Sequence, residues 1–236
     1  MSLPRLRLEK CAYHDGTWLI DAQQAHHLVK VRRCYNGSFV EGLIDGEKVE
    51  LRLLCTGDSV YAAEISREKE QPPYPELHLL LGLLKNDQFD DALRFAAETG
   101  VHSIHLLDCE RSVPRYSMDK LEEKMSRWRK ILDEATKQAG STKPPVLYQP
   151  LKLEKIDMAN IPQNRVAAIL SKDACALDGL DRDKPSVAVA IGPEGDWSPA
   201  EIQVLLGHEF IPVSLGRRIL RASTAVAVAC GWFMIR

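Results

Sequence analysis

Polar and apolar positions change rhythm about a third of the way along this 236-residue chain. Up to about residue 70, short apolar runs at 17–20, 38–44, 48–54 and 60–65 are separated by Asn36-Gly37, Asp45-Gly46 and Thr56-Gly57-Asp58. Asparagine, aspartate and glycine tolerate the left-handed backbone of tight hairpins, so this part reads as closely spaced short strands in a small barrel. Gln71-Pro72-Pro73-Tyr74-Pro75 then interrupts the pattern. Prolines so crowded continue neither a helix nor a central strand, which predicts two domains, residues 1–72 and 73–236.

Beyond the prolines the period lengthens. An apolar strand at 77–84 leads to a helix that Asp87 caps, with Phe89, Leu93 and Ala96 or Ala97 inward and Gly100 at its end. A strand at 101–107 follows, then a longer helix opened by Asp119 and closed by Gly140, with Leu121, Met125, Trp128, Leu132, Ala135 and Ala139 on one stripe. A further strand spans 166–170. The run Ser186-Val187-Ala188-Val189-Ala190-Ile191 is apolar throughout, as a strand buried on both faces of a parallel sheet should be. Gly192 and Gly195 break it, and Ser198, Pro199 and Glu201 form a capping-box start for a helix that Gly207 stops. The same unit recurs at 210–214, where Leu215-Gly216 is the break and Ser223 or Thr224 caps a final apolar helix. Alternating strands and helices imply a parallel α/β layer, and pattern alone draws it as an unknotted, doubly wound sheet.

Composition narrows the class without deciding it. Hydrophobic content of 45% and charged content of 27% suit an ordinary globular protein. No apolar run nears the roughly 18 residues that span a bilayer, and the start lacks a secretory core, so a cytoplasmic location and no membrane partner are expected. Six cysteines, Cys11, Cys34, Cys55, Cys109, Cys175 and Cys230, are scattered with no Cys-x-x-Cys pair. They read as reduced thiols, with no metal implied. A net charge of -2 argues against indiscriminate nucleic-acid binding, yet Lys30, Arg32 and Arg33 form one basic run.

The two glycine-broken strand ends carry the chemistry. Ile191-Gly192-Pro193-Glu194-Gly195 and Ser214-Leu215-Gly216-Arg217-Arg218-Ile219-Leu220-Arg221 combine backbone access, apolar cover and cationic side chains. Glycine admits a ligand to the backbone, Leu215, Ile219 and Leu220 can cover a ring, and arginine offers a fixed charge to an anionic neighbour. This pair, with Lys85-Asn86-Asp87-Gln88-Phe89-Asp90, Ala97-Glu98-Thr99-Gly100-Val101, Cys109-Glu110-Arg111-Ser112 and Arg127-Trp128 upstream, resembles the SPOUT superfamily of knotted RNA methyltransferases. Within it the chain looks most like the enzymes that methylate N3 of a uridine in small-subunit ribosomal RNA.

That resemblance implies a C-terminal trefoil-knotted methyltransferase domain with a parallel sheet and an N-terminal PUA-like, RNA-binding β-barrel. It replaces the unknotted sheet, since members tuck the last helix through a preceding loop. It further implies S-adenosylmethionine as methyl donor, held by Leu170, Gly192, Gly195, Ser214, Leu215, Gly216, Ile219 and Leu220, with small-subunit RNA or the assembled 30S particle as substrate and a homodimer as the working form. Uracil N3 keeps its proton at neutral pH, so a base must remove it or a cation must stabilise the anion. Arg221 is the candidate beside the uracil, with Arg218 next to it and Glu194 as base or turn-stabiliser. Arg111 joins Lys30, Arg32 and Arg33 as an RNA contact. Alternatives are ribose 2′-O methylation, or an RNA-binding assembly protein that kept the fold without the reaction. The chain departs from the family pattern at Asp196-Trp197, at Ser223 and at Gly140-Ser141-Thr142-Lys143, where Lys143 stands as the substitute for an absent arginine.

Overall fold

The computed structural model describes residues 3–8, 13–56 and 59–235. Cys11 and the Gly57-Asp58 part of one expected turn lie outside them. The chain divides into two units, Met1–Gln71 with Thr136–Lys143, and Pro72–Ala135 with Pro144–Arg236.

In the first unit the chain runs through β1 (Arg5–Arg7), β2 (Tyr13–His14), β3 (Thr17–Leu19), α1 (Ala22–His26), β4 (Phe39–Ile44), β5 (Glu47–Thr56) and β6 (Ser59–Lys69). The six strands hydrogen-bond in the order β1-β4-β5-β6-β3-β2, antiparallel except for β1 beside β4. On β5, Val49, Leu51 and Leu53 are buried while Glu50, Arg52 and Leu54 are exposed, the alternation of a sheet with one covered face. Its core gathers Leu6, Trp18, Leu28, Val40 and Ala62. Residues 136–143 belong here because Thr142 is tied in on several sides. Its N–H donates to Glu70 Oε2 at 2.8 Å, its Oγ1 accepts from Gly46 N at 2.9 Å, and its carbonyl accepts from Arg7 Nη1 at 2.5 Å.

The second unit holds β7 (Glu76–Gly82), α2 (Asn86–Glu98), β8 (Ser103–Leu107), most of α3 (Met118–Ala139), β9 (Val146–Leu151), β10 (Arg165–Ala168), β11 (Cys175–Ala176), β12 (Ser186–Ile191), α4 (Pro199–Gly207), β13 (Ile211–Ser214) and α5 (Ala222–Met234). Its seven strands are all parallel, in the order β11-β13-β10-β12-β7-β8-β9. One face is covered by α2, α3 and α5 through Phe89, Leu93, Trp128, Leu132, Val226 and Phe233. The other is covered by α4 and the chain around Leu153, Ile161 and Phe210. Both faces buried explains why β12 reads as an unbroken apolar run.

The strand order carries the threading. The chain leaves β10, forms β11 at the sheet edge and returns to β12, yet the later β13 lies between β11 and β10. The last strand is thus inserted inside a loop already drawn. The chain after it crosses back so that α5 packs on α2 and β12. This is the arrangement that a knotted SPOUT domain requires, and it overturns the unknotted sheet drawn from pattern alone.

Two expected helix caps are not those observed. α2 starts from Lys85 and α5 from Arg221, neither with a side-chain cap, while Asp87 sits inside the first turn and Ser223 is a buried residue of the helix. Only the α4 start follows the sequence reading in full, with Ser198 and Glu201 in a reciprocal capping box. The helix expected from Asp119 pairs Arg127 with the buried Asp90 in a two-pronged ion pair to α2.

Candidate active site

The carboxyl ends of β10, β12 and β13, adjacent in the sheet, open into a cavity of about 410 Å³. Ligands gather at such ends because strand-following loops there diverge and offer free backbone groups. Leu170 comes from the loop after β10. Gly192, Glu194 and Asp196 come from the loop after β12, and Ser214, Leu215, Gly216, Arg218, Ile219, Leu220 and Arg221 from the loop after β13. The first turns of α2 and α5 complete the wall through Gln88 and through Ala222 and Ala225. The structure therefore brings together nearly all the residues singled out at the two glycine-broken strand ends.

Close packing, more than turn geometry, explains two glycines. A Cβ on Gly192 would lie 3.1 Å from the Trp197 indole, so this wall needs glycine for the ring to seat. Trp197 is 1% exposed, and its Nε1 donates to the carbonyl of Ala168 at 3.0 Å, clasping the β12 loop to the end of β10. The departure at Asp196-Trp197 is thus a structural clamp. Asp196 adopts φ 60 and accepts from Trp197 N at 2.8 Å, a left-handed turn that aspartate tolerates. Gly82, at the end of β7, was not singled out in the sequence, yet a Cβ there would sit 2.7 Å from Pro193 N.

The remaining candidates divide. Arg218 and Arg221 are exposed at the cavity and have no hydrogen-bond or ion-pair partner among the described residues, so their charge is free for a ligand. Glu194 is partly engaged, since its Oε1 accepts from Lys85 N at 2.8 Å and so serves the uncapped start of α2. Gly195 does not line the cavity. It backs onto Arg111, whose Nη1 donates to Gly195 O at 3.3 Å and Trp197 O at 3.1 Å. Arg111 therefore props the β12 loop, whatever its exposed edge meets. Buried Cys109 and Cys230 have thiols that burial pushes up, the latter to about 12, which leaves neither a nucleophile near neutral pH.

Within the first unit, the basic run sits at the end of a helical segment. α1 passes into a π-helical turn, His27–Val31, that carries Lys30, and Arg32 closes it. Arg33 adopts φ 56, an uncommon backbone for arginine, and all three cations are solvent-facing with Tyr35 74% exposed beside them. Lys143 pairs within this unit, its Nζ 3.5 Å from Asp45.

A model of the RNA methyltransferase domain family matches residues 70–234, most of the chain and every wall of the cavity. The chain belongs to that family. Among relatives of this RNA methyltransferase, a Synechocystis protein named ribosomal RNA small subunit methyltransferase E is 29% identical over 223 residues, which cover 91% of this chain and 72% of the relative. Ribosomal RNA small subunit methyltransferase E 2 of Borreliella burgdorferi is 28% identical, covering 95% and 93%. A Legionella pneumophila protein solved with bound S-adenosylmethionine superposes with a TM-score of 0.85 at 25% identity, covering 99% of this chain and 97% of that one. Among the described residues, no helix of the RNA methyltransferase is long and apolar enough to cross a membrane, and no cluster of side chains could hold a metal ion.

Proposed function

We propose that the chain transfers a methyl group from S-adenosylmethionine to N3 of a uridine in small-subunit ribosomal RNA, working as a homodimer. The observation that carries this reading is the cavity in which glycine-broken loops, apolar covers and two unpartnered arginines meet. Its roughly 410 Å³ suits a bound nucleoside with an amino-acid tail, and lies within the usual size of small-ligand sites. Leu215, Ile219 and Leu220 supply apolar cover for an adenine, and the backbone at Gly192, Ser214 and Gly216 supplies its polar partners. The cofactor supplies a methyl group on a sulfonium, ready for displacement.

The protein's part is placement and charge. Arg221 and Arg218, at the mouth, can lower the energy of the uracil anion that forms when N3 gives up its proton. Glu194 Oε2 has no partner among the described residues and can receive that proton. Lys30, Arg32 and Arg33 supply phosphate contacts that hold the RNA, with register rather than base identity as their contribution. The names of the relatives and the bound donor of the Legionella structure support the same assignment. Mass mapping of modified uridines in ribosomal RNA, from cells lacking and then regaining this gene, tests it. Restored N3-methyluridine supports the reading; a 2′-O-methyl mark, or no change, refutes it.

A further inference from the structure

Among the described residues, the cavity wall holds one enclosed side-chain polar atom with no hydrogen-bond partner. Gln88 lines the wall from the first turn of α2, and its Oε1 is enclosed without any hydrogen-bond donor. Its Nε2 also has no partner among the described residues. A buried amide oxygen without a donor costs free energy, and such groups are rare enough to need a reason. The torsion that turns a carboxamide is soft, so the oxygen can swing to a ligand that brings a donor.

Resting on the proposed function, we infer that Gln88 binds the α-ammonium group of the methionyl tail of S-adenosylmethionine and so positions the sulfonium. Three observations favour this donor group over others. The loops after β10, β12 and β13 supply the glycines and most of the apolar side chains of the lining, whereas Gln88 comes from α2. Glu194 meets the same turn, with Oε1 on Lys85 N and its other oxygen free, so a carboxylate reinforces an acceptor-rich corner suited to a cation. Arg218 and Arg221, on a separate segment, are left to face the anion of the acceptor or its phosphate.

Calorimetry with two ligands isolates this contact. S-adenosylhomocysteine carries the amino-acid tail, and 5′-methylthioadenosine keeps the adenosine but lacks carboxylate and ammonium. Gln88→Leu should weaken S-adenosylhomocysteine by roughly tenfold to a hundredfold, the effect of removing one partner of a charged hydrogen bond, and leave 5′-methylthioadenosine within about twofold of wild type. Gln88→Glu, which keeps the shape and adds charge, should hold or tighten S-adenosylhomocysteine and leave the truncated ligand alone. Equal weakening of both ligands would place Gln88 at the adenosine and overturn the inference, as would no change in either. Folded wild-type protein that binds neither ligand would overturn the proposed function and this inference with it, whereas wild-type binding with the wrong pattern overturns this inference alone.

Discussion

Replacing Gly82 by alanine tests whether the site depends on the approach of β7 to the loop after β12. The added Cβ would stand 2.7 Å from Pro193 N, 2.8 Å from Pro193 Cδ and 3.1 Å from the Gly192 carbonyl carbon. Ordinary contact begins near 3.4 Å, so one partner must retreat by roughly 0.7 Å, a gap on the steep side of the van der Waals curve. β7 is paired on both sides, to β12 and β8, and yields little. The opposing atoms are backbone, which cannot swing aside like the tip of a side chain, so the Gly192-Pro193 turn moves. Overpacking of this kind costs about 1–3 kcal/mol. For a protein of this size each kcal/mol lowers the unfolding midpoint by roughly 2–4 °C. Function should suffer more than stability, because a displacement near 1 Å at a positioned group costs about 100-fold in rate. Calorimetry with S-adenosylmethionine and thermal unfolding, run together, separate the two effects. Gly207→Ala is the control, since its Cβ would meet nothing within 4 Å. Wild-type donor affinity in a folded Gly82→Ala protein would refute the claim that this contact shapes the site.

Three more perturbations address other parts of the argument. Arg221→Ala should lower turnover far more than donor affinity, measured by single-turnover methylation beside calorimetry; equal losses would make Arg221 a structural residue. Replacing Lys30, Arg32 and Arg33 together should flatten the dependence of RNA affinity on salt, by about 0.7–0.9 in log–log slope for each phosphate that is no longer neutralised, and an unchanged slope would return them to the solvated surface. The third concerns His105, which burial chiefly, and the neighbouring His78 next, lower to about 4. His105 Nε2 lies 3.1 Å from Ser103 Oγ, whose other neighbour is His78 Nδ1 at 2.9 Å, and its ring stacks on Tyr148. Folding disfavours the charged ring, so the stability it contributes is intact above its ordinary value near 6.5 and is lost as pH falls towards 4, by up to roughly 3 kcal/mol. His78 is lowered too, again mainly by burial, while Glu76 opposes the shift. His105→Phe should therefore make the melting midpoint less sensitive to pH between 6.5 and 4, and parallel profiles for the two proteins would refute that account.

How much of this could be read from sequence depended on whether a residue acts through its neighbours in the chain or through space. The loops at Gly192 and at Ser214 to Leu220 were legible because a glycine that breaks an apolar run is a local signal, and the cavity lies where those breaks fall. Gly82 carried no such signal. It closes a strand like any other glycine, and only the register of β7 beside β12 crowds a side chain there against Pro193. The helix starts at Lys85 and Arg221 were misplaced for a related reason. Capping rules count side-chain acceptors, but here Glu194 reaches α2 from 109 residues away, and the start of α5 opens on the cavity. The short helix α1 carried a local signal that was passed over, the Asp21 cap that accepts from Gln23 N and Gln24 N, and the union of residues 136–143 with the first unit rests on Thr142 hydrogen bonds that span up to 135 positions in the chain.

The threading and the chemistry are not separate features. The loop that follows β10 both encircles β13 and supplies Leu170 to the cavity, while the chain that leaves β13 supplies Leu215, Ile219 and Arg221. The walls of the cavity are thus the segments that make the crossing itself. Trp197 adds a bolt between the β12 loop and the end of β10. A site whose walls are held by topology needs little reorganisation when charge develops at the acceptor, and fixed donors are worth most under that condition. What stays adjustable is the rim, where Leu170 is 67% and Ile219 81% exposed. If the proposed function holds, substitutions at these two exposed side chains should alter the rates at which the donor binds and leaves, measured by stopped flow, while leaving the architecture beneath them intact.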